Sequence, residues 1–127
     1  MQIDDRLGIW EDLCAIAGTQ SELLGRIRSM MWSADPDGVE AVSLKQKNVW
    51  WGTGPSKMQH GHSYAAPFAG HTNLGFFHGV ELPDPQRHLE GSGKKLRHVK
   101  LVDAGQLELP AVHDLIAAAV AERRAYS

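Results

Sequence analysis

Apolar residues recur every three to four positions at both ends of the chain and closer to every second position between them. That change of period divides the sequence into helical ends and a stranded middle. Leu7, Trp10, Leu13, Cys14 and Ala17 predict a first helix over 5–16, ended by Gly18. Thr19-Gln20-Ser21-Glu22 reads as a capping box opening a second helix over 20–34. Its stripe is Leu23, Ile27, Met30, Met31 and Ala34, and Asp35-Pro36-Asp37-Gly38 stops it.

From Val39 the pattern is that of strands: 39–44, 49–53, 72–78 and 96–102, with weaker segments at 57–60 and 62–67. Leu74 and Phe76 share one face of their strand, and Asn73, Gly75 and Phe77 the other. Asp84 as cap and Pro85 at the first helical position predict a single helical turn that Gly91 ends. Val112, Leu115, Ile116, Ala119 and Val120 mark a closing helix over 110–124. The expected fold class is α+β: an antiparallel sheet of five or six strands spanning 39–102, with the helices packed on one face, in one domain of 1–127.

Composition narrows the function without naming it. At 43% apolar and 22% charged the chain is ordinary for a globular domain. A formal charge of −2 gives no general pull toward nucleic acid or anionic membrane, so neither is an expected partner. No stretch is long and apolar enough to span a membrane, and the acidic start lacks a secretory h-region, so the expected location is the cytoplasm. The lone Cys14 excludes an internal disulfide and sits in a helical pattern as a small core residue.

The familiar catalytic signatures are missing. GTGPSK at 52–57 has Lys57 where a dinucleotide loop needs its last Gly. In GSGKK at 91–95, a phosphate loop would need Gly at His88 and Ser or Thr at Lys95. No GxSxG elbow or HExxH helix occurs, so the expectation is a protein that is not an enzyme.

Three clusters carry candidate binding chemistry. His60 and His62 fall on one face of a predicted strand, with His71 across a turn as a third metal ligand; polar surface positions explain the same pattern. The dense basic run follows a Gly-Ser-Gly turn, so Gly91, Gly93, Lys94, Arg97 and His98 are candidates for holding a small anionic ligand. The alternative for Arg97 is a structural ion pair with Glu90 or Asp84. The N-terminal carboxylates Asp4, Asp5, Glu11, Asp12 and Glu22 offer hard oxygen donors, or simply a solvated helix face. Trp50 and Trp51 must face opposite ways on a strand, as must Phe76 and Phe77. The outer face should therefore be covered, by a helix, a ligand or a second copy in a homodimer.

The segments GTGPSKM at 52–58, SYAAP at 63–67, HTNLGFFHG at 71–79 and LPDPQRHLEGSGKKLRHVKL at 82–101 together resemble the YdhG-like family of unknown function. The resemblance implies an antiparallel sheet backed by helices. It also implies an uncharacterised, non-enzymatic binding role, since some members are described as frataxin-like intracellular iron chaperones; iron is the ligand so implied. No family motif maps onto the N-terminal carboxylates. Trp-Trp-Gly-Thr-Gly-Pro at 50–55 also stands where many members have Trp-Gly-x-Pro-x-Tyr, which places the chain in a separate branch. An anion-binding or protein-interaction domain with no metal role is the alternative.

Overall fold

A computed structural model describes residues 1–126. In chain order the elements are β1 (Gln2–Asp4), α1 (Trp10–Ala17), α2 (Ser21–Ala34), β2 (Val39–Ser43), β3 (Asn48–Gly52) and α3 (Lys57–His60). After these come β4 (Gly61–Pro67), β5 (Thr72–Phe76), β6 (Arg97–Leu101) and α4 (Pro110–Tyr126). The six strands form one sheet whose spatial order is the chain order. Strands β2 to β6 are an antiparallel meander, and β1 lies parallel to β2 at the edge. The fold is therefore α+β, with a mixed sheet where a wholly antiparallel one was expected. No described helix is long and apolar enough to cross a membrane.

Register assigns each strand residue to a face. Val42, Val49, Ala65, Leu74 and Val99 form one row across the sheet. They share a core with Leu13 of α1, with Leu24, Ile27 and Met31 of α2, and with Val112, Leu115 and Ile116 of α4. The helices thus cover one face, as their single apolar stripes require. The opposite row, Ala41, Trp50, Tyr64, Gly75 and His98, faces away. Trp51 and Phe76 are buried on the helix side, while Trp50 and Phe77 belong to the outer cluster.

The outer aromatics are accommodated by glycine. A Cβ on Gly75 would overlap the Tyr64 ring, one on Gly52 would meet the Trp50 ring at 2.8 Å, and one on Gly61 the Phe77 ring at 3.0 Å. Flat rings over bare backbone let this face cover much of its own apolar surface.

On the helix-facing side of β2 sits a carboxylate. Glu40 of β2 is 1% exposed. It accepts hydrogen bonds from Arg28 Nε (2.9 Å) and Nη2 (2.8 Å), Trp32 Nε1 (2.9 Å) and Trp51 Nε1 (3.0 Å). The Arg28 guanidinium lies 4.3 Å from the Trp10 ring and 4.5 Å from the Trp32 ring. A buried charge is tolerable only when paired and fully hydrogen-bonded, and here both conditions are met.

Several local expectations are corrected. Residues 5–9 are not helical and α1 begins only at Trp10; the apolar Leu7 counted into that helix is exposed. Cys14 is half-buried rather than core, and burial raises its thiol pKa. Thr19 caps nothing: a 3-10 turn over Gly18–Gln20 runs straight into α2, and Glu22 pairs with Arg26 instead. Residues 57–60 form a helical turn rather than a strand. Residues 84–91 make no helix. The Asp84 carboxylate accepts from the backbone N–H groups of both His88 and Leu89 (2.9 Å each), and Arg87 adopts φ +56°, which closes a turn instead. A capping box does exist, at Asp103 and Gln106, ahead of α4.

Replacing Glu40 with Ala leaves a half-buried guanidinium and two indole donors without their acceptor. The expected loss is about 3–5 kcal/mol of unfolding free energy in urea titrations, with much of it recovered in an Arg28→Met, Glu40→Met double variant.

Candidate functional site

The basic loop is organised from within. Arg97 of β6 donates through Nη1 to the carbonyl oxygens of Gly93 and Leu96, each at 2.6 Å. Among the described residues neither Asp84 nor Glu90 is its ion-pair partner: Asp84 serves the turn, and Glu90 joins His98 through paired backbone bonds of 2.7 and 2.9 Å. Gly91 takes φ +125°, and a Cβ on Gly79 would collide with Arg97, so glycine permits both the turn and the close approach. Arg97 and His98 point to opposite faces of β6, so the set Gly91, Gly93, Lys94, Arg97 and His98 does not converge on one point.

The three expected histidine ligands are also separated. His60 ends α3, and its Nδ1 accepts from the Ser56 N–H at 3.0 Å. His71 stacks on Phe68 at 4.9 Å, beyond the far end of β4. His62 is buried at the near end, and the five intervening steps of strand to Pro67 span roughly 17 Å. Of the N-terminal carboxylates, Asp4 pairs with Arg6 at 2.6 Å, and that hydrogen bond lowers its pKa; Asp5, Glu11, Asp12 and Glu22 are exposed.

His62 belongs to a different arrangement. Its Nδ1 is 2.8 Å from Ser63 Oγ and its Nε2 is 3.3 Å from Asp35 Oδ2, while Arg124 Nη2 donates to Asp35 Oδ1 at 2.5 Å. A Ser–His–Asp series suggests nucleophilic catalysis. Here Ser63, His62 and Asp35 are 0%, 1% and 2% exposed, so no substrate reaches the hydroxyl. The series ties the end of α2 to β4 and α4. Burial works against the Asp35 charge, yet the His62 imidazole and the Arg124 guanidinium together hold its carboxyl below the ordinary Asp value.

One converging set was not anticipated. Ligand atoms of His78, Glu81 and Glu122 all lie within 4.8 Å of one another, the one such group of three found among the described residues. His78 follows β5, Glu81 ends the 3-10 turn Gly79–Glu81, and Glu122 comes from α4. The turn is fixed by Glu81 N–H to His78 O (3.0 Å) and Val80 N–H to Lys95 O (3.1 Å). Glu122 receives two 2.6 Å hydrogen bonds from Arg123, which is itself 3% exposed and donates to Gln59 O at 3.0 Å.

These groups line a concave space of about 250 Å³ together with Lys95 and Tyr126. Burial, and then the nearby Arg123 charge, lower the His78 pKa, so the imidazole is neutral with a lone pair to give. The Arg123 hydrogen bond lowers that of Glu122, which is therefore ionised. A neutral imidazole beside two carboxyl groups is a mixed nitrogen and oxygen donor set for a divalent cation. Sequence offered only His-Gly-Val-Glu at 78–81, with the third member more than a sheet strand away in α4.

No family model, no curated protein and no solved structure matches this chain.

Because the Asp35 pKa is lowered on folding, its contribution to stability is present above the ordinary Asp value near about 3.9 and disappears as pH falls through the lower folded value. Urea unfolding followed from neutral pH into acid should show that loss. Asp35→Asn should be less stable at neutral pH and have a flatter acid limb; an unchanged limb would mean that Asp35 does not contribute.

Proposed function

We propose that this protein is a non-enzymatic, cytoplasmic binding protein for a divalent transition metal, with His78, Glu81 and Glu122 as its ligands. The observation that carries the reading is the convergence of these three donor atoms within 4.8 Å, from three separate stretches of chain. One imidazole and two carboxylates suit Fe²⁺, Mn²⁺ or Zn²⁺ better than Ca²⁺ or Mg²⁺, which prefer all-oxygen shells. Iron is the member of that group that the resemblance to the YdhG-like family favours. The Ser63, His62 and Asp35 series is closed to solvent and so lends no support to a catalytic reading.

The test is anaerobic titration of the intact protein with Fe²⁺, with Co²⁺ as a spectroscopic probe. One ion should bind per chain, and His78→Ala or Glu81→Gln should each weaken binding by ~10-fold or more while far-UV circular dichroism stays unchanged. Glu81 is exposed, so its replacement does not disturb the core. Wild-type affinity in both variants would remove the site.

A further inference from the structure

We infer that the metal-loaded pocket takes a small oxyanion, a carboxylate or a phosphate, bound between the ion and the Lys95 ammonium. This rests on the metal reading above and adds the chemical class of what the ion would hold.

Charge is the first reason. Without a metal, Glu81 and Glu122 are balanced by Arg123 and Lys95, all four lining the same space. A divalent cation then brings two positive charges that no protein group in the pocket offsets. A half-enclosed cationic site of that kind is stabilised by an anion entering from solvent.

Coordination is the second. Three protein donors leave a metal's remaining positions to water or to an exogenous ligand. The concave space of about 250 Å³ lies beside those donors. It is smaller than ordinary drug-sized sites, which start at roughly 300 Å³, so the occupant has few heavy atoms.

Lys95 is the third. Its backbone carbonyl accepts from Val80 N–H at 3.1 Å, which fixes it against the turn that carries Glu81. Its loop is held by the two Arg97 bonds to Gly93 and Leu96. Among the described residues the Lys95 ammonium has no ion pair, although two carboxylates line the same pocket. Arg123, by contrast, is committed to Glu122 and Gln59. Lysine is a compact point charge with several donors, suited to an oxyanion that also ligates a metal.

The experiment loads the full chain with Co²⁺ and titrates it separately with inorganic phosphate and with malonate, following the visible cobalt bands. At least one anion should shift the bands saturably, without releasing Co²⁺ and with no binding to the metal-free protein. The anion that does so distinguishes phosphate from carboxylate recognition. Lys95→Met, at an exposed position, should keep Co²⁺ binding and lose anion affinity by about tenfold. Bound Co²⁺ with bands indifferent to both anions would overturn the inference while leaving the metal site standing, as would wild-type anion affinity in Lys95→Met. Failure of Co²⁺ to bind at all would overturn the metal reading, and this inference with it.

Discussion

Glu40 places an ionised side chain where the sheet meets its helices, and a charge so buried must be met by donors from every side that could otherwise hold water. The donors come from Arg28 and Trp32 of α2 and from Trp51 of β3, and Trp10 of α1 closes over the guanidinium. One carboxylate thereby sets how two helices lie on the sheet. Five residues earlier, Asp35 does the same at the other end of the α2–β2 connection, through His62 of β4 and Arg124 of α4. With Arg124 on Asp35 and Arg123 on the Gln59 carbonyl, the last turns of α4 are held over the sheet. That is what brings Glu122 against the turn that carries His78 and Glu81. The candidate site is thus a consequence of the polar anchors of the fold.

Much of this architecture was legible as period. The stripes of α2 and α4, the alternation in β2, β3, β5 and β6, and the opposite facing of Trp50 and Trp51 follow from side-chain geometry alone. What escaped had no period to read. β1 is three residues long, and its pairing with β2 is a tertiary event. Residues 57–60 and 84–91 are too short for periodicity to separate helix, turn and strand. In the second of these, Asp84 spends its carboxylate on two backbone donors, and the chain closes into a turn where Pro85 could have opened a helix.

The site was less legible than the fold, for a related reason. Sequence adjacency proposed His60 with His62, and Arg97 with His98, yet neighbouring strand residues point apart and the histidines are divided between a helical turn, a buried strand end and a distant loop. Convergence came from residues far apart in the chain: His78 with Glu122, and Asp35 with His62. Neither pair has a spacing that a linear scan would favour. The Ser63, His62 and Asp35 series shows the converse limit, since residue types that suggest catalysis are here sealed from solvent and serve cohesion.

The basic segment 91–97 and the histidine-rich stretch offered two separate kinds of chemistry in sequence, anion binding and metal binding. In the folded chain one member of each stretch, His78 and Lys95, lines the same pocket, and neither pattern singled it out. Arg97 turns inward to the loop carbonyls, so its charge organises the loop rather than facing a ligand, and the loop carries Lys95 to the wall beside Glu81. His78, the histidine next to that wall, is kept neutral by burial and by Arg123, while Arg123 keeps Glu122 ionised. On the reading proposed above, burial and this guanidinium together favour donors suited to a cation, and the lysine on the same wall is the partner for the anion that such a cation would require.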